Sequence, residues 1–161
     1  MNVVATTASV EQTRDVGSAL SSLARPGDVI VLAGDLGAGK TALVQGFGRG
    51  LGVTERITSP TFTLVHVYEG TVPIHHLDVY RLEQLSEALD LGLPEMLDEG
   101  GVVLIEWGDA IRPLLPHDYL EVRLTFGPGD DDRYLALNPV GPTWVPRSDA
   151  IAAVLSPWIA A

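Results

Sequence analysis

Apolar and polar positions along the chain change period repeatedly, and those changes delimit its elements. Glu11 to Leu23 reads as a helix, with Ser9 a candidate N-cap. Asp28–Ala33 (DVIVLA) is apolar after its first residue and predicts a short buried strand, followed by a glycine-rich turn and a helix over Lys40–Gly50. Leu64–Tyr68 and Pro73–Leu77 read as strands joined around Glu69-Gly70, and Ser86–Leu91 and Pro94–Leu97 look helical. Val102–Ile105 (VVLI) is a second unbroken apolar strand, as in parallel sheets covered on both faces. Leu120–Phe126 and Arg133–Leu137 alternate instead and predict an antiparallel hairpin, with Gly127-Pro128-Gly129 and Asp130-Asp131-Asp132 as its solvated turn. Ser148–Ile159 reads as a terminal helix broken near Pro157, and GPTWVPRSD before it as a short linker.

Strands alternating with helices and closing in a hairpin point to a three-layer α/β domain with a mostly parallel central sheet. Residues 1–140 are expected to form this domain, with 141–161 a C-terminal extension packed on it or trailing it.

Composition narrows the setting. Apolar residues make up 46% of the 161 but charges interrupt them everywhere, so no stretch approaches a membrane span. The N-terminus lacks the basic, apolar and small-residue pattern of a secretory signal, and the chain has no cysteine. A cytoplasmic location is the expectation. The formal net charge is −11, and Lys40 is the only lysine beside nine arginines. Such a chain has no general attraction for a phosphate backbone, so a phosphate ligand must be captured locally and unaided nucleic-acid binding is disfavoured.

Gly34-Asp35-Leu36-Gly37-Ala38-Gly39-Lys40-Thr41 supplies that local capture, matching G-x-x-x-x-G-K-[ST] in full. Glycines let the backbone curl so that N–H groups face phosphate oxygens, and the following helix adds its positive end. Lys40 is suited to the β- and γ-phosphates and Thr41 to Mg²⁺. The context agrees, because an apolar strand precedes the loop and a helix follows. Guanine-specific relatives of this loop carry N-K-x-D, which a single lysine cannot provide, so adenine is the expected base.

The remaining chemistry needs an acid on the metal and a group that orients water. Glu106 ends VVLIE and is followed by Trp107, while Asp78 follows Ile74-His75-His76-Leu77. An acid at a strand end often does no more than stay solvated; beside a phosphate loop both become candidates. Ile57-Thr58-Ser59-Pro60-Thr61-Phe62 lies where a switch loop would sit, although alone it reads as a hydroxyl-rich turn. His75 and His76 are adjacent on a strand, point to opposite faces and cannot chelate one metal together. Trp144 and Trp158 read as packing residues.

GDLGAGKT, ITSPTF, HxDxYRL and IEW, in that order and within so short a chain, resemble the bacterial TsaE (YjeE) family, the likeness running from about Thr13 to Arg133. The resemblance implies a P-loop NTPase fold and an ATPase that works with TsaB and TsaD in forming N6-threonylcarbamoyladenosine at position 37 of tRNA. Carried over by position, Gly37, Ala38, Gly39, Lys40, Thr41 and Ala42 would cradle the phosphates of ATP, and Thr41 and Glu106 would hold Mg²⁺. Ala42 stands where a second threonine is frequent in the family. Asp78 would position water, Thr61 would act from the switch-like loop together with Lys40, and Trp107 would pack near the nucleotide. The segment around Val10 and Thr13 would border the adenine, with Arg133 as the candidate arginine. A small-molecule or nucleoside kinase is the competing reading. Kinases usually clamp the transferred group with an arginine-rich lid, whereas these arginines are scattered singly. A nucleotide-gated binding module without catalysis is the third.

Overall fold

The structure, a computed structural model, describes residues 2–59, 65–79, 92–106, 115 and 117–160. The predicted helix at Ser86–Leu91 lies outside them.

Helix α1 spans Val10–Ser21, and the Ser9 side chain accepts the Gln12 N–H at 3.1 Å, as its sequence position predicted. Thr13, Val16, Gly17 and Leu20 form its buried stripe at helical spacing. Helix α2, Lys40–Gly50, buries Leu43, Val44 and Phe47 and lies directly against α1. The two backbones approach so closely that a Cβ at Gly46 would stand 1.8 Å from the Arg14 carbonyl oxygen. Only glycine fits that crossing.

The strands are β1 (Val3–Thr7), β2 (Val29–Gly34), β3 (Val65–Tyr68), β4 (Ile74–Asp78), β5 (Val102–Glu106), β6 (Tyr119–Phe126) and β7 (Arg133–Val140). They form one seven-stranded sheet in the order β1-β7-β6-β2-β5-β4-β3. The expectation of a mostly parallel sheet is corrected here: the sheet is mixed. Parallel pairing is confined to β6-β2-β5-β4, while β1-β7, β7-β6 and β4-β3 are antiparallel. The hairpin β6-β7 was expected, but β1 was not, because VVATT buries alternate residues without alternating in hydropathy. β7 also runs on through Pro139, beyond the last β1 partner at Leu137, so the missing N–H there costs no β1–β7 ladder bond.

Two cores flank the sheet. Val16, Leu20, Leu43, Val44 and Phe47 cover one face over Ile30, Leu32, Leu104, Leu120 and Leu135. On the other face Val29, Val31, Leu77, Val103 and Ile105 meet Met96 of α3 (Leu93–Asp98).

The segment from Gly141 to Asp149, read as a linker, is packed structure. Trp144 is 2% exposed within the first core, joined there by Ile151 and Leu155 of α4 (Ser148–Val154) and its end. Arg147 makes a buried bidentate pair with Asp28 (2.6 and 2.8 Å) and stacks on the Trp144 ring at 4.0 Å. Among the described residues no helix is long and apolar enough to cross a membrane.

Candidate functional site

The carboxyl ends of β2, β4 and β5 converge on the N-terminus of α2 and enclose a cleft of about 340 Å³. Gly34 ends β2 at φ 149°, and a Cβ there would meet the Leu124 carbonyl oxygen of β6 at 2.6 Å. The chain can therefore turn off the sheet only with glycine at this position. Gly39 is the N-cap of α2 at φ 108° and no side chain caps the helix. The first N–H groups of α2 have no intrahelical acceptor, and with the helix dipole they make the floor of the cleft attractive to an anion.

Lys40 is 5% exposed, its ammonium donating to the carbonyl oxygens of Gly34 (2.7 Å) and Asp35 (3.0 Å). Burial lowers its pKa, against the opposing pull of Glu106, Asp78 and Asp35. Thr41 donates to Glu106 at 3.2 Å, tying the start of α2 to the end of β5. Asp78 and Glu106 are register partners on β4 and β5, so their side chains share a face. Burial raises the Asp78 pKa and the neighbouring Glu106 carboxylate adds to it; the Ser59 hydroxyl, His76 and Lys40 act the other way. Ser59 donates to Asp78 Oδ2 at 3.0 Å, while the buried Oδ1 has no partner among the described residues.

The predicted site residues therefore separate into groups. Gly37, Gly39, Lys40, Thr41, Ala42, Asp78 and Glu106 line one cleft, with Ala38 buried beneath the loop. Thr13 is buried beside that loop, its methyl 3.6 Å from the Cβ position of Gly39, but its hydroxyl is engaged with Thr7 of β1 at 2.9 Å. Val10 is exposed at the start of α1. Arg133 reaches the outer side of the loop instead of lining the cleft. Thr61 and Trp107 lie outside the described residues.

Two further residues enter from the structure. Among the described residues of its segment, Ser59 is the hydroxyl that meets Asp78, a choice its sequence does not specify. His76 is fully buried, and its Nε2 is hydrogen-bonded to Glu106 Oε2. A carboxylate can only accept, so Nε2 is the protonated nitrogen when Glu106 is ionised. Strand alternation was the available signal, since His76 shares a face with Asp78 two residues on. His75 turns the opposite way, to Glu99 at 3.1 Å.

A profile of the threonylcarbamoyl adenosine biosynthesis protein TsaE matches residues 7–134, which contain every residue of the cleft. The chain belongs to the TsaE family. A Bacillus subtilis TsaE, called a tRNA threonylcarbamoyladenosine biosynthesis protein, is 43% identical over 136 residues, covering 84% of each chain. The Nostoc TsaE is 50% identical over 73% of this chain and 74% of its own, and the Streptomyces coelicolor TsaE 37% identical over 87% and 99%. A crystal structure of Bacillus subtilis YdiB superposes with a TM-score of 0.79 at 35% identity, covering 98% of this chain and 95% of that one.

No cluster of three or more His, Cys, Asp and Glu side chains with ligand geometry occurs among the described residues. Among the described residues an all-protein cage of the calcium kind therefore has no counterpart. Mg²⁺ needs less, because it keeps several waters and binds through one or two carboxylates plus substrate phosphates. Thr41 and Glu106, already in contact, fit that demand.

Proposed function

We propose that this chain is a Mg²⁺-dependent ATPase subunit that serves N6-threonylcarbamoyladenosine formation in tRNA, acting with TsaB and TsaD. The observation that carries the reading is the convergence of Lys40, Thr41, Asp78 and Glu106 on the N-terminus of α2, which no side chain caps. Family membership carries the tRNA-modification context.

Each residue has a distinct task. The α2 N–H groups and Lys40 bind the triphosphate, and Lys40 must exchange its loop carbonyls for phosphate oxygens to do so. Thr41 and Glu106 would hold Mg²⁺, which when bound supplies positive charge to the phosphate oxygens. His76 orients Glu106 from behind. Asp78, held at one oxygen by Ser59, uses the other to orient the attacking water. Burial and Glu106 both favour its protonated form, which makes it a readier proton acceptor than a solvated aspartate. A kinase reading gains nothing from the cleft, since no arginine lines it among the described residues.

An arginine supplied by a partner can be worth about 10³–10⁵ in rate for enzymes of this kind. The chain alone should therefore turn over slowly. With a net charge of −11 it should also leave RNA contact to its partners. Phosphate release from ATP, measured on the purified chain and again with TsaB–TsaD and tRNA, tests this. Acceleration by the partners is expected. Full-speed turnover by the isolated chain, or tight tRNA binding by it at physiological salt, overturns the reading.

A further inference from the structure

Arg133 begins β7, 95 residues from the loop it touches. Its Nε donates to the Ala38 carbonyl oxygen at 3.2 Å and Nη2 to the Gly37 carbonyl oxygen at 3.3 Å. Nη1 donates to the Asp130 and Asp132 carbonyl oxygens, both at 2.8 Å, and the guanidinium sits 4.7 Å above the Phe126 ring. Four of the five guanidinium N–H groups are thus committed to backbone carbonyls, two in its own hairpin and two in the phosphate loop.

We infer that Arg133 is a positioning residue that clamps the phosphate loop from outside and thereby aims its N–H groups at the ligand. The inference rests on the ATPase reading and deepens it. In a trans peptide the C=O and the next N–H point in opposite directions, and no peptide bond here is cis. Drawing the Ala38 carbonyl toward Arg133 therefore drives the Gly39 N–H away from it, and Gly39 lines the cleft while Arg133 does not. The preceding peptide is held at both ends, its Gly37 carbonyl on Arg133 and its Ala38 N–H on the Asp35 carbonyl at 3.0 Å. Gly37 at φ 83° and Gly39 at φ 108° give this stretch conformational freedom that a phosphate site must remove before binding. A planar fork seated on an aromatic ring and anchored to a hairpin can remove it; a lysine ammonium, a point charge on a flexible stem, lacks the rigid fork that joins both loop carbonyls to the hairpin in one plane.

The clamp and a contact to the adenine base make opposite demands on a ligand without a base. Calorimetry should compare ATP with inorganic tripolyphosphate, each with Mg²⁺, on the full chain and on R133M, R133K and F126L. The clamp requires R133M to weaken both ligands by the same factor, about tenfold or more. R133K should stay close to R133M, and F126L should weaken both ligands equally but less. The amide resonance of Gly39 should also shift in ligand-free R133M, which a base contact would leave in place. Loss of ATP binding with tripolyphosphate unchanged, or full recovery in R133K, overturns the clamp. F126L carries the comparison if R133M fails to fold, and equal ligand affinities in F126L and the parent chain would then count against it. Failure of the parent chain itself to bind either ligand would remove the ATPase reading beneath it.

Discussion

Asp78 and Glu106 end neighbouring strands in register and are 6% and 3% exposed, so each ionised carboxylate raises the cost of the other. Replacing Asp78 with asparagine keeps the shape and an acceptor for the Ser59 hydroxyl while removing one of those charges. Adjacent strands lie about 5 Å apart, and two charges at that spacing repel by about 3 kcal/mol at an effective dielectric of about 20. Ser59, His76 and Lys40 recover part of that cost in the parent protein. The net gain should be about 1–2 kcal/mol, or about 3–6 °C for 161 residues. The sign of its pH dependence follows from the raised folded-state pKa of Asp78, above its ordinary 3.8. The parent loses stability as pH climbs from the unfolded value to the folded one, because only the unfolded chain releases the proton there. Above the folded value the difference between the two proteins is constant, and below the ordinary carboxylate range it vanishes. Scanning calorimetry of both proteins across that range reads it directly. Phosphate release should meanwhile fall to background with ATP affinity retained. A lower melting temperature for Asp78→Asn at neutral pH, or a gain that does not change with pH, would refute the reasoning.

Other substitutions separate the remaining roles. Lys40→Ala should weaken ATP binding tenfold or more, from the loss of a charged contact of roughly 1.5–3 kcal/mol, and calorimetry would show it. Glu106→Ala should abolish the difference between ATP affinities measured with Mg²⁺ and with a chelator, whereas Asp78→Asn should preserve it. Arg147→Met should cost about 3–5 kcal/mol in denaturant unfolding by leaving Asp28 charged and buried. Adding Asp28→Asn should restore part of that loss, since the stranded charge is gone while an acceptor remains for the Arg25 N–H.

Local signals read reliably where one residue type satisfies one local requirement. The turn after β2 is such a case, because its glycines take backbone conformations that favour glycine and α2 begins directly after them at Lys40. The same holds for the Ser9 cap, for the unbroken apolar runs of β2 and β5, and for the turn between β6 and β7. Glu106 was legible because it ends the apolar run VVLI, and Asp78 because it closes the short predicted strand that ends at Leu77.

Tertiary structure decided what depends on partners far away in the chain. β1 exists because its backbone completes the β7 edge and every second side chain finds the core, and no hydropathy signal in VVATT announces either fact. That strand, added to the antiparallel pairings of β6-β7 and β3-β4, makes the sheet mixed. Trp144 and Arg147 sit in a proline- and glycine-rich segment that resembles a linker, yet Asp28, 119 residues away, supplies the charge that holds Arg147 inside. Arg133 could be suspected near a nucleotide from its position, but only the folded hairpin brings its guanidinium onto the carbonyls of Gly37 and Ala38. Ser59 on Asp78 and His76 on Glu106 belong to the same class. Sequence determined which groups could do the chemistry, because their types and spacings are local; folding alone determined which atoms hold them in place, because those contacts join elements that sequence leaves far apart.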